Sequence, residues 1–292
     1  MGNGGFIMFV LEKLQNTELL SPNEVSVAKY LIQYEGNLLT LSALDISKAT
    51  YTSPSTTIRL AKKIGYDGWI SLRSALYTEK NYLTHSHNNI DANFPFSYQD
   101  SMQTIVSRIE QLESQIIHET AQLIQHDELA KCVTFLSSCH HIYIFAMSNT
   151  STMAYDFQYK MRFLFKPVTI ITNRDDFSFI FQTLKKNDCC LFISYSGETF
   201  HDLDLSSVII NSPCPTISIT GYHDNKLITC TNAHLYMPYK EEIYAKIAPF
   251  ASNQAIHYLL DILYACVFSK NYETNLHKRK NYIQKTDKKE VL

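Results

Sequence analysis

The sequence carries no surplus of positive charge. Its 26 lysines and arginines face 28 aspartates and glutamates, for a net charge of −2. Binding nucleic acid through bulk charge is excluded, so any contact with DNA has to come from a local patch. Paired metal-ligand cysteines are missing too: there are 7 cysteines, and no two are spaced Cys-x-x-Cys. Zinc wants paired ligands, and Cys139 beside His140-His141 does not supply them, so no metal and no cofactor is expected. An odd count without a spacing pattern reads as reduced core thiols. No run is long and apolar enough to span a bilayer. The segment Met1 to Phe6 lacks the cationic region of an export signal, and Phe6 stands where a myristoylation signal wants a hydroxyl. The expectation is a cytoplasmic protein with no membrane contact.

What is there suits two domains. The chain has 292 residues, of which 45% are hydrophobic, enough for a sizeable core. From Phe6 to about Tyr82 the periodicity is helical. Val25, Ala28, Leu31 and Ile32 follow Ser21-Pro22, a cap with proline at the first helical position. Leu41–Thr50, Pro54–Ile64 and Trp69–Tyr82 read as further short helices. Residues 83–100 carry no period and read as a linker. After a helical pattern through Ile105, Ile109, Leu112 and Ile116, short apolar runs alternate with helical stretches. The runs begin at Ile142, Val168, Cys189, Thr216 and Ala233, and a last helix covers Pro249 to Lys270. Continuously apolar strands alternating with helices predict a doubly wound α/β domain on a five-stranded, mainly parallel sheet. The expected layout is an all-α domain over 1–82, the linker, the α/β domain over 101–272, and a basic tail over 273–292. The tail, with Lys278, Arg279, Lys280, Lys285, Lys288 and Lys289, reads as a solvated, frayed end.

Two segments carry chemistry. In the first, Ser42 with Asp45 forms a capping-box pattern for a helix to Thr50, Tyr51-Thr52 makes a turn, and Ser53-Pro54 starts a second helix. On that helix Thr57, Leu60, Ala61 and Ile64 share one face. Ser55, Thr56, Arg59, Lys62 and Lys63 are read onto the other, with no acidic residue between Ser53 and Ile64. An apolar face opposite hydroxyls and cations is what the major groove requires. An ordinary surface helix has the same pattern, so amphipathicity alone leaves both readings open. In the second segment, Ser194-Tyr195-Ser196-Gly197-Glu198-Thr199 follows a strand and precedes a helix. Hydroxyls, a glycine and a helix N-terminus make an anion cradle, and the end of a parallel strand is where α/β ligand sites fall. A serine-rich capped turn reads the same way.

Resemblance separates these alternatives. From Leu20 to Leu76 the chain resembles the N-terminal domain of RpiR/MurR-type transcriptional regulators. The carrying residues are Leu20-Ser21-Pro22-Asn23-Glu24, Val27-Ala28 and the run Ser53 to Trp69, with Ser53, Thr56 and Arg59 at matching positions. The family usually has Gly-Val where Tyr51-Thr52 stands. From about Ile116 to Phe268 the chain resembles SIS (sugar isomerase) domains, through Glu119-Thr120, the Ser194–Thr199 loop, Ile219-Thr220 and Asp261 to Tyr264. The resemblance implies DNA binding by Ser53, Ser55, Thr56, Arg59, Lys62 and Lys63. It implies phosphosugar binding by Ser194, Ser196, Gly197 and Thr199. The family's Gly-x-Gly-x-Ser after the first strand is here Ala146-Met147-Ser148-Asn149-Thr150, with both glycines lost and Thr150 in the serine position.

The expectation is a regulator of carbohydrate-metabolism genes. Its partners are a double-stranded DNA operator and a phosphorylated sugar effector, and it is expected to be a homodimer or homotetramer, since two-fold operators need two reading heads. No catalytic residue is expected. The alternatives are a regulator whose SIS-like domain only dimerises, and a phosphosugar isomerase with Glu198 or His201 as candidate base.

Overall fold

The computed structural model describes residues 10–18, 20–85, 90–199 and 205–287. The chain divides into two compact units, residues 1–88 and 89–292. Met1 to Phe9, Ser86 to Asn89, Phe200 to Asp204 (which include His201), and Lys288 and Lys289 lie outside the described residues.

The first unit is all-α: α1 (Val10–Gln15), α2 (Pro22–Gln33), a 3₁₀ turn (Leu38–Thr40), α3 (Ala43–Thr50), α4 (Pro54–Lys63) and α5 (Trp69–His85). The start signals act as local chemistry predicts. Pro22 opens α2, and the Ser21 N–H donates to Glu24 Oε2 at 2.8 Å. Ser42 and Asp45 form the reciprocal capping box, Asp45 N–H to Ser42 Oγ at 3.2 Å and Ser42 N–H to Asp45 Oδ2 at 3.1 Å. The core gathers Leu14, Val27, Leu31, Ile46, Leu60 and Leu72 from all five helices. The buried Glu79 carboxylate accepts from the Val10 and Leu11 N–H groups at 2.7 and 3.2 Å, which satisfies the start of α1.

The second unit runs α6 (Met102–Leu123), α7 (His126–Ser138), β1 (His141–Ala146), α8 (Thr150–Arg162), β2 (Val168–Ile171), α9 (Arg174–Thr183), β3 (Asp188–Ser194), α10 (Leu205–Ile210), β4 (Thr216–Gly221), α11 (Lys226–Cys230), β5 (Ala233–Met237), α12 (Phe250–Ser269) and α13 (Tyr272–Asp287). The sheet order is β2-β1-β3-β4-β5, and every neighbouring pair is parallel. β3 and β4 are buried at every position, because helices cover both faces. One face packs on α6, α7, α8 and α12 through Ile116, Phe157 and Leu259. The other holds an aromatic core of Phe145, Phe177 and Phe192 under α9, α10 and α11.

Two boundaries move from their sequence reading. The unpatterned stretch read as a linker joins the α/β unit from Ile90 onward. Ala92 enters its core, and Asn93 accepts from Glu242 N–H at 2.6 Å through its side chain and from Ile247 N–H at 2.9 Å through its carbonyl. The tail read as frayed forms α13 through Asp287, with the Arg279 guanidinium 4.0 Å from the Phe163 ring centroid. α7 had no sequence reading. Of the α6 stripe, Leu112 and Ile116 enter the unit's own core.

Candidate functional site

The first candidate site is the face of α4. α3 ends at Tyr51, whose φ of 54° and ψ of 37° put it in the left-handed region. The Thr52 N–H closes the turn on Ser47 O at 3.1 Å. Tyr51 therefore occupies the backbone conformation that favours glycine, and the residue is 97% exposed.

α4 buries Thr56, Thr57, Leu60 and Ala61 and exposes Ser55, Arg59, Lys62 and Lys63. Thr56 corrects the sequence reading, which put it on the outer face: it is 1% exposed. Helix geometry explains this, since Thr56 and Leu60 are i and i+4 and share the buried side. Its hydroxyl lies 3.0 Å from Ser53 Oγ and accepts from Arg59 Nη2 at 3.4 Å. Thr56 thus steadies Arg59 from beneath. Ser53 stands at the N-cap position, but its hydroxyl meets the hydroxyls of Ser55 (2.7 Å) and Thr56, with no side-chain bond to the helix backbone. Lys63 is tied within the unit, its Nζ 2.9 Å from the buried Glu24 carboxylate. Ser55, Arg59 and Lys62 present outward polar groups, with Ser53 at the helix start.

The second candidate site lies at the C-terminal edge of the sheet. In the order β2-β1-β3-β4-β5 the chain reverses direction of winding between β1 and β3. Open α/β sheets bind ligands at such a switch point. The two loops singled out in the sequence leave these adjacent strands, which pair Ala146 with Ile193 at their ends.

In the β3 loop Ser194 is buried. Its Oγ accepts from the Gly197 N–H at 3.0 Å and lies 2.7 Å from Thr199 Oγ1. Ser196 and Thr199 are half-buried, and Ser196 Oγ accepts from the Glu198 N–H at 3.3 Å. Gly197 has φ +67°, and a Cβ there would lie 2.1 Å from Asn225 Oδ1. Only glycine lets the loop close on Asn225, the cap of α11. Glu198 crosses to the same helix, accepting from the Lys226 N–H at 3.1 Å. In the β1 loop the Thr150 hydroxyl turns back to donate to Met147 O at 2.8 Å. Ser148 keeps a left-handed φ of 55° without being glycine, and its side chain is exposed. Ala146 is fully buried.

Sequence reasoning missed the wall of this edge. The Tyr195 phenol accepts from the Glu241 N–H at 2.6 Å, and burial pushes its pKa up. Glu241, buried, accepts from the Ser252 N–H at 2.9 Å and its hydroxyl at 2.7 Å, and pairs with Lys246 at 2.8 Å. Glu119, fully buried on α6, pairs with Lys240 at 2.6 Å. The Glu241 carboxylate lies in an aperiodic loop and carries no pattern; its meaning comes from the start of α12 and the lysine it meets.

Fold and site define a class: a helix-turn-helix unit followed in the chain by a parallel α/β unit whose two singled-out loops leave the C-terminal ends of adjacent strands. Residues 8–82 match the helix-turn-helix domain of the rpiR family, and residues 135–265 match the SIS domain. An uncharacterized HTH-type transcriptional regulator of Caldanaerobacter subterraneus is 23% identical over 266 residues, 91% of this chain and 92% of its own. YbbH of Bacillus subtilis, an uncharacterized HTH-type transcriptional regulator, is 23% identical over 98% of this chain and 96% of its own. The Vibrio vulnificus NanR protein complexed with ManNAc-6P is similar in fold, with a TM-score of 0.57, 19% identity, and coverage of 94% of this chain and 97% of that one. The sugar isomerase domain of an RpiR transcription factor from Sphaerobacter thermophilus gives 0.52 at 12% identity, over 62% of this chain and 99% of that one. The chain thus carries a helix-turn-helix domain of the rpiR family followed by a SIS domain, and these relatives are named HTH-type transcriptional regulators.

Proposed function

We propose that the chain regulates carbohydrate-metabolism genes and that a phosphorylated sugar bound to its SIS domain controls its hold on a double-stranded DNA operator. On this reading Ser53, Ser55, Arg59 and Lys62 meet the DNA, Thr56 steadies Arg59, and Lys63 contributes from its pair with Glu24. The phosphate sits on the 194–199 loop, with Ser196 and Thr199 offering hydroxyls and Ser194 and Gly197 holding the loop's shape. Thr150 joins by releasing its bond to Met147 O. The observation that carries the ligand half is the position of this loop, at the end of β3 beside β1 at the switch point. The NanR structure, whose own ligand is ManNAc-6P, supports the same chemistry.

The protein acts as a binder with no reaction of its own. Glu198, one candidate base of an isomerase, is engaged at the start of α11, and the relatives are named as regulators. It works in the cytoplasm as a homodimer or homotetramer, since a palindromic operator needs two reading heads. No helix among the described residues is long and apolar enough to cross a membrane. The altered β1 loop favours a second reading, in which the SIS domain only dimerises.

A crossed pair of variants tests both halves. Arg59→Ala is expected to weaken binding to a DNA fragment selected by the wild-type chain by about 10- to 100-fold, while leaving thermal stabilisation by sugar phosphates intact. Ser196→Ala is expected to do the reverse. Unchanged DNA affinity in Arg59→Ala overturns the recognition helix. A panel of sugar phosphates none of which raises the melting temperature supports dimerisation alone, and turnover of any member restores the enzyme.

A further inference from the structure

β3 carries adjacent cysteines just after Asp188, and strand alternation sends them to opposite faces of the sheet. Cys189 joins the core under α8 and α12, whereas Cys190 joins the aromatic core with Phe145 and Phe192. There its Sγ lies 3.7 Å from the Sγ of Cys214, just before β4. The backbones are held together at this point, because the Cys190 N–H donates to Pro215 O at 3.0 Å. We propose that Cys190 and Cys214 are an oxidisable dithiol, which a hydroperoxide closes to a disulfide.

Both thiols are buried, and Cys214, at 4% exposure against 0%, is the nearer of the two to the surface. It follows Pro213, which is exposed, in the loop between α10 and β4. A cavity of about 310 Å³, lined by Phe181, Ser207, Val208, Asn211, Ser212 and Pro213, opens beside that loop. Ser212 Oγ lies 3.4 Å from Cys214 Sγ. Contacts from the Cys190 thiol and the Ser212 hydroxyl hold the Cys214 thiol down at about 7 against burial, while Cys190 is raised well above its ordinary value. Its place beside the exposed Pro213 and against the Ser212 hydroxyl assigns Cys214 as the attacking thiol, and Cys190, inside the strand, as the resolving one.

The chemistry balances with hydrogen peroxide as oxidant. The Cys214 sulfur attacks one peroxide oxygen, the O–O bond breaks, and the departing hydroxide takes the proton Cys214 gave up, leaving as water. Cys214 is then a sulfenic acid. The Cys190 sulfur attacks it, the S–O bond breaks, and the oxygen leaves as a second water with the Cys190 proton. Two thiols lose two electrons and the peroxide gains them. The new bond ties the start of β3 to the approach to β4, across the crossover that carries the 194–199 loop. This chemistry stands independently of whether that loop holds a phosphate.

The test is thiol mapping on the full chain. Reduced protein is treated with a few equivalents of hydrogen peroxide and quenched in acid. Free thiols are alkylated under denaturing conditions, and unreduced peptides are sequenced by tandem mass spectrometry. The expected product is a peptide pair joined through Cys190 and Cys214, two hydrogens lighter than its parts and split by reductant. Cys139→Ser is expected to leave it unchanged, and Cys214→Ser to abolish it with Cys190 recovered as a free thiol. Full alkylation of both residues after peroxide overturns the proposal, as does a crosslink through Cys139 and Cys189 with Cys190 and Cys214 still free. The wild-type map decides even if Cys214→Ser folds poorly.

Discussion

Among the described residues, three hold the left-handed conformation without being glycine: Tyr51, Ser148 and Phe165, at φ values of 54°, 55° and 56°. Two of them stand in the loops that matter, where the family resemblance implies glycine. The backbone keeps the shape and the side chain bears the steric cost, of order 1–2 kcal/mol for a residue with a Cβ. At Tyr51 nothing offsets it, because the ring is in solvent. Tyr51→Gly is therefore expected to stabilise the helical unit by about 0.5–1 kcal/mol after the extra entropy of an unfolded glycine is subtracted. A urea midpoint that rises at unchanged slope bears this out; a midpoint that falls means the tyrosine makes contacts that outweigh its strain. Gly197 is the opposite case, where Asn225 leaves no room for a Cβ. That glycine was legible as part of a motif, but its reason, a side chain arriving from another strand's end, was not.

At the scale of elements, Glu24 joins α2 to α4. It serves as the N-terminal partner of Ser21 and as the counter-ion of Lys63 at the end of α4. The Ser21 N–H and the Lys63 ammonium lower its pKa from an ordinary 4.5 to about 2. A carboxyl depressed on folding adds stability that is present above its unfolded pKa and lost as pH falls through its folded one. Melting temperature of the wild-type chain is expected to drop between pH 4.5 and pH 2. In Glu24→Gln the curve flattens over that window, and an equal drop in the variant assigns the acid sensitivity elsewhere. The cap was readable from Ser21-Pro22 alone. The ion pair was not, since 39 residues separate its partners. Thr56 is a different case: its i, i+4 spacing from Leu60 was readable along the chain, and its hydroxyl drew the reading to the outer face. The stretch from Ile90 escaped as the ion pair did. Asn93 binds single distant groups and so leaves no repeat to detect.

For the whole molecule, a net charge of −2 offers no bulk attraction for DNA, so the proposed operator contact rests on a local patch. In the proposed regulator, the effector acts through coupling between two sites. If a sugar phosphate changes operator affinity by some factor, the operator must change sugar-phosphate affinity by the same factor, because both are legs of one thermodynamic cycle. Titrating the sugar phosphate into free and operator-bound protein is expected to return the ratio found when DNA is titrated with and without the sugar. Unequal ratios mean that the two ligands meet different assemblies.

Much of this protein was already set in its sequence. Period 3.6 patterns with Ser-Pro starts dictate the helical unit, and apolar runs between helices dictate a parallel sheet, because backbone geometry and burial act locally. The Ser194–Thr199 loop was legible for the same reason. Tertiary structure alone decided what each group faces. It set Glu241 against Tyr195 and Ser252, Lys63 against Glu24, and Cys190 against Cys214. Those contacts join residues that only the crossing of strands and helices brings within reach, and no periodicity along the chain encodes a meeting of that kind.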